Sequence, residues 1–187
     1  MVPAPFIVIL DANVLFPLTL RDTLLRAAAG GFYQARWSKE ILDEMERNLV
    51  STTTMSPDKA GRLRDTMERY FPDALVTGYE PLVAAMQNDM KDRHVAAAAV
   101  KAGAQVIATQ NLKDFTPLPD GIEAQSADEF LCNLFDLDPV AFTELLEQQA
   151  ADLRAPPITF DDLLARLSRV VPKFVASVRD HIAWLER

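Results

Sequence analysis

One cysteine and two histidines in 187 residues leave little material for sulfur or nitrogen chemistry. Cys132 cannot close a disulfide within the chain or build a multi-cysteine zinc site, and its neighbours Phe130, Leu131 and Leu134 read as the buried face of a helix. His94 and His181 make no cluster in the sequence, so both read as structural or exposed. Long hydrophobic runs are missing too. The longest, Phe6–Leu10 and Val95–Val100, fall far short of the ~20 residues of a membrane-spanning helix. The start, Met-Val-Pro-Ala-Pro-Phe, shows no basic leader, so no secretion signal and a cytoplasmic location are expected. Basic residues are outnumbered, 19 Lys and Arg against 27 Asp and Glu. A net charge of −8 excludes a protein whose whole surface is a nucleic-acid footprint. A local site survives that exclusion, because acids gathered around a divalent cation contribute to the same total.

What is present is a soluble globular composition, 49% apolar and 25% charged, with length for one domain and a small appendage. Phe6–Leu10 is an apolar run that stops at Asp11, the pattern of a buried parallel strand. A helix is expected over Pro17–Ala29, stopped by Gly30-Gly31, and another over Lys39–Val50 capped by Ser38. Pro57 opens a third helix through Tyr70, and Ala74–Thr77 is expected to be the second strand. Asp89–Ala104 reads as a small-residue helix able to pack closely on a sheet, Gln105–Thr109 as a strand, and Asn111–Phe115 as a turn. Ile122–Gln125 is the last strand, and Ser126 caps the helix to Phe135. The strand–helix alternation predicts an α/β fold with a parallel sheet over residues 1–137. Beyond Asp138-Pro139 only helices are expected, near Pro139–Leu153, Thr159–Val170 and Pro172–Leu185. This extension, 138–187, is too small for much core of its own and should dock on the α/β part or on a partner.

Polar residues at the carboxyl ends of parallel strands are candidates for ligand binding. Asp11 and Asn13 follow the first strand; Asn111 and Asp114 follow the strand ending at Thr109. Glu44 lies on the helix whose apolar face is Ile41, Leu42 and Met45, with Glu40, Asp43 and Glu46 as near rivals. Asp92 sits near the start of the alanine-rich helix. If Asp11, Glu44, Asp92 and Asp114 converge, they make a pocket of hard oxygen ligands suited to Mg²⁺ or Mn²⁺ rather than zinc. Such an ion keeps neighbouring carboxylates ionised and can orient water against a phosphodiester, which is nuclease chemistry. Arg21, Arg26, Arg36, Lys39, Arg47, Arg62, Arg64 and Arg69 could meet phosphates or simply be solvated. Trp37, Phe32 and Tyr33 could stack bases, with core packing as the plainer reading.

Four strings carry a family resemblance: Ile9-Leu10-Asp11-Ala12-Asn13-Val14-Leu15, Ser38 with Ile41-Leu42-Asp43-Glu44, Asp92-Arg93-His94-Val95-Ala96-Ala97-Ala98, and Thr109-Gln110-Asn111-Leu112-Lys113-Asp114-Phe115. In this order, over residues 6 to about 135, they resemble the PIN domain, and within it the VapC-type toxins with a helical C-terminal extension. The resemblance implies a three-layer α/β/α fold with a central parallel sheet, and a Mg²⁺- or Mn²⁺-dependent ribonuclease of a toxin–antitoxin pair. It further implies an antitoxin partner and a homodimer, with no membrane association. Asp11, Glu44 and Asp92 match the family's three central acidic ligands, and Asn13 and Ser38 match supporting positions. Many PIN domains have an aspartate two residues after the strand-ending threonine, where this chain has Asn111. Asp114 then stands as the fourth carboxylate or an assistant, while an amide can ligate through oxygen but cannot act as a base.

Two other phosphoryl-transfer classes also place an aspartate after a strand. Haloacid-dehalogenase-type phosphohydrolases need a second aspartate where this chain has Asn13, and a receiver domain needs an acidic pair and a strand-ending lysine that the sequence does not offer. A non-enzymatic PIN-like RNA- or protein-binding module is the remaining alternative, and Asn111 is the feature that favours it.

Overall fold

A computed structural model of the chain describes residues 6–185; the reading of the first five residues lies outside them. Five parallel strands form one sheet in the order β3-β2-β1-β4-β5, where β1 is Ile7–Leu10, β2 Gln34–Ser38, β3 Leu75–Val76, β4 Val106–Ala108 and β5 Glu123–Gln125. β1 is central, with Val8 beside Ala35 on one side and Val106 on the other. Val8, Ile9 and Leu10 are fully buried, as an apolar run covered on both faces requires.

β2 was not expected from the sequence. Its residues Gln-Ala-Arg-Trp-Ser alternate, with Ala35 and Trp37 buried and Gln34 and Arg36 half-buried, so no continuous apolar run announces it. Ala74–Thr77 therefore supplies the third strand of the sheet, not the second. A single-turn helix, α1 (Ala12–Leu15), directly follows β1 and precedes α2 (Leu18–Ala29). α3 is Lys39–Ser51 and α4 is Pro57–Tyr70. The alanine-rich helix α5 begins at Arg93 rather than Asp89 and ends at Ala102, before Gly103 at φ +65°. Residues 90–92 form a 3₁₀ turn instead, because the Asp89 side chain accepts the Lys91 N–H and ties the chain into that tighter turn. Val95–Ala99 of α5 are all buried against β1, β2 and β4, where alanines permit close approach.

Chain order moves outward from β1 through β2 to β3, then crosses back to β4 and on to β5. The right-handed crossover rule puts α2 and α3 on one face and α5 on the other, giving three layers. The direction reverses between β1 and β4, and in open α/β sheets ligands bind at such a point, beyond the carboxyl ends of the strands.

The helices that follow β5 pack on one another and on this layered body. α6 (Ala127–Leu137), α7 (Pro139–Asp152), α8 (Phe160–Leu167) and α9 (Pro172–Leu185) follow one another, with α7 and α8 against α2 and α9 along α6. Phe142 joins the two parts: its ring meets Phe32 at 4.9 Å and Phe174 at 5.5 Å. Between α2 and α7, Thr23 donates to Gln149 Oε1 at 2.8 Å, Gln149 Nε2 donates to the Thr19 carbonyl, and Arg26 pairs with Asp152 at 2.9 Å. Cys132 is half-buried at the edge of the core. Among the described residues no helix is long and apolar enough to cross a membrane.

Asp128 of α6 reaches the start of α9, where its carboxylate accepts the N–H groups of Lys173 at 3.2 Å and Phe174 at 2.9 Å. These donors have no partner inside the helix. Asp128→Ala is expected to lower unfolding free energy by about 1–2 kcal/mol in urea titration. A change within experimental error would show that α9 is held by its apolar contacts alone.

Candidate active site

At the reversal point, Asp11 ends β1 and Thr109 ends β4, side by side. Asp11 is only 4% exposed. Its Oδ1 accepts the Ala12 N–H at 2.7 Å and so caps α1. Its Oδ2 accepts from the Thr109 hydroxyl at 2.7 Å and from Asn13 Nδ2 at 2.7 Å. The Thr109 oxygen in turn accepts from Asn13 Nδ2 at 3.0 Å and from the Asn111 N–H at 3.1 Å, while Asn13 Oδ1 accepts the Gln110 N–H at 2.9 Å. Three of roughly four acceptor positions on Asp11 are thus filled, and what remains lies on Oδ1.

Burial raises the Asp11 carboxyl most; the Thr109 and Ala12 donors pull it back, and the charges of Asp92 and Glu44 push it up again, to about 6. Asp92 is likewise raised, first by burial and then by the charges of Asp114, Glu44 and Asp89. Glu44 and Asp92 thus act by charge on Asp11, and Asp114 and Glu44 on Asp92, from α3, the turn before α5 and the turn after β4. The neighbours of Glu44 on α3 behave differently. Asp43 turns away to pair with Lys39 at 2.7 Å and with Arg64. Glu46 lies 3.4 Å from the same guanidinium, and Glu40 lies 3.5 Å from His94 Nδ1.

Ser38, the last residue of β2, is fully buried. Its Oγ accepts the Ile41 N–H at 3.2 Å, capping the helix that carries Glu44, and its hydroxyl meets Tyr79. Asn111 is exposed and enters the network through its backbone N–H. Thr109 and Tyr79 were not singled out from the sequence as site residues. A threonine closing an apolar strand beside Asp11 was the available signal for the first; nothing local marks Tyr79. Among the aromatic and basic candidates, the aromatics follow the plainer reading of core packing, whereas Arg21 is neither solvated nor open to phosphate. Trp37 and Tyr33 are core, and Arg21, 2% exposed, donates to the Leu15 and Phe16 carbonyls.

The donor set is chemically suited to a hard divalent cation: carboxylate oxygens, with Asp11 and Asp92 pushed up by burial and by neighbouring negative charge and Asp11 pinned. Among the described residues no group of three or more His, Cys, Asp or Glu is arranged to hold a metal ion as the side chains stand. Asp11 is held in place by its bonds to Thr109 and Asn13, whereas Glu44, Asp92 and Asp114 are half-buried.

Without metal, the raised Asp11 carboxyl is a stability liability. Because its folded value lies above the ordinary 3.8, the stability linked to its protonation is full below pH 3.8 and lost as pH rises through about 6. The ionised group costs about 3 kcal/mol at pH 7. In EDTA, Asp11→Asn is expected to stabilise the chain by about 1–2 kcal/mol at pH 7, after loss of the α1 cap, and to give no gain at pH 4. A melting temperature lowered equally at both pH values would contradict the electrostatic reading.

The PIN domain model matches residues 7–113, and a model of the VapC50 C-terminal domain matches residues 127–180. A Mycobacterium tuberculosis protein named "Putative ribonuclease VapC50" is 41% identical, across 58% of this chain and 68% of that protein. No solved structure matches the chain. The parallel sheet and the match over more than half the sequence together place the chain in the PIN domain family.

Proposed function

We propose that this chain is a divalent-metal-dependent endoribonuclease and the toxin of a type II toxin–antitoxin pair. One observation carries the reading: Asp11, pinned by Thr109 and Asn13 at the reversal point, feels the charges of Glu44 and Asp92. Asp11, Glu44 and Asp92 would hold the ion, with Asp114 as fourth carboxylate, and Mg²⁺ or Mn²⁺ is the ion that hard oxygen donors favour. When bound, the metal activates water and offsets charge developing on the scissile phosphodiester. The protein's part is positional. Thr109 and Asn13 fix the Asp11 carboxylate, Ser38 fixes the helix carrying Glu44, and Asn111, an amide, takes no proton.

The toxin assignment rests on the relative's name and on the match of the extension to the VapC50 C-terminal domain. It brings with it an RNA substrate, a cognate antitoxin, a homodimer and a cytoplasmic setting. A second reading, a catalytically weakened RNA- or protein-binding module, is favoured only by Asn111 in place of an aspartate. Incubating the purified chain with labelled RNA in Mn²⁺, in Mg²⁺ and in EDTA separates the two. Cleavage in metal and none in EDTA supports the nuclease; RNA binding without cleavage in any metal supports the module.

A further inference from the structure

We propose that Asn88 is a positioning residue that sets the placement of Asp114 relative to Asp92; the inference rests on the metal-centre reading above. The two aspartates sit on separate turns, residues 88–92 before α5 and 111–115 after β4. A single acceptor joins those turns. The carbonyl oxygen of Asp114 receives the Asp89 N–H at 3.0 Å and Asn88 Nδ2 at 3.3 Å. Because that acceptor is a carbonyl, the amide orientation is fixed: only the NH₂ end of Asn88 can face it.

Each turn is closed on its own side. The Asp92 N–H reaches the Asp89 carbonyl at 3.0 Å, the Asp114 N–H reaches the Asn111 carbonyl at 3.0 Å, and Arg93 Nε holds the Asn88 carbonyl at 3.2 Å. The clamp at Asp114 therefore connects two internally rigid turns. Asn88 is 3% exposed, and its Oδ1 is buried with no hydrogen-bond partner among the described residues. A side chain present for packing alone gains nothing from a buried oxygen without a donor, and an apolar residue of similar shape would avoid that cost. What Asn88 contributes and leucine cannot is the donor to Asp114.

Stability and metal affinity should then move apart in Asn88→Leu. Isothermal titration of the full chain with Mn²⁺, without RNA, is expected to show affinity at least about 10-fold weaker, the scale for losing an outer support of a metal ligand. Urea unfolding in EDTA is expected to show a midpoint unchanged or higher. In an Asp114→Ala background the same substitution should weaken Mn²⁺ binding by less than about 2-fold, since the residue through which it acts is gone. Parental Mn²⁺ affinity in Asn88→Leu overturns the inference, as does an undiminished loss in the Asp114→Ala background. Asn88→Ala carries the same comparison if the leucine variant does not fold. Failure of the parent chain itself to bind Mn²⁺ would instead sink the metal reading, so the two failures are distinguishable.

Discussion

Asp11→Asn is expected to reduce Mn²⁺-dependent RNA cleavage by more than about 100-fold while the protein stays folded. Losing an outer support of a metal ligand already costs about 10–100-fold, and Asp11 is the buried carboxylate that Thr109 and Asn13 hold in place. Asparagine keeps the size and can still accept from Thr109 and Asn13 through its oxygen. Its NH₂ must then face the Ala12 N–H and offers a metal no charge. The loss should appear as activity without unfolding, the opposite of a core substitution. Cleavage at the parental rate by a folded Asp11→Asn protein would remove Asp11 from the mechanism.

Glu44→Gln should also remove most cleavage, by about 10-fold or more, whereas Asp43→Asn should leave the rate within about 2-fold. Adjacent residues on α3 differ because of where a helix sends them. Successive side chains diverge by about 100° around the axis, so only one of the pair can face the crevice. The charge of Glu44 acts on both Asp11 and Asp92, and Asp43 is engaged by Lys39 and Arg64 on the opposite side. Asp43→Asn should register in stability instead, by at most about 1 kcal/mol, since its partners are partly solvated. Equal losses of cleavage at positions 43 and 44 would contradict this division. Rate measurements at saturating Mn²⁺, beside urea unfolding of both variants, supply the comparison.

Asp11 was legible in the sequence because an apolar run that ends in a carboxylate has few structural explanations. The same rule pointed to Asp114 as a candidate and missed the partner of Asp11, since Thr109 is too ordinary a residue to stand out until β4 is seen lying beside β1. β2 escaped because one of its faces carries Gln34 and Arg36, so its apolar content is no greater than a loop's. The late start of α5 turns on one side-chain bond from Asp89, a competition between side chain and backbone that residue spacing does not reveal. Choosing Glu44 over its acidic neighbours needed motif order in the sequence, and the ion pairs of Asp43 give that choice a physical basis. Asn88 had no signal at all: its partner lies 26 residues away, and the bond goes to a backbone atom that every residue possesses.

The most direct test of the central claim is to locate the metal. A crystal of the full chain grown with Mn²⁺ and measured at the manganese absorption edge would give an anomalous peak wherever the ion binds. The account predicts a peak in contact with the Asp11 carboxylate and with at least one of Glu44, Asp92 and Asp114, absent in Asp11→Asn. Manganese bound elsewhere on the chain, or a crevice without a peak at saturating Mn²⁺, would contradict it.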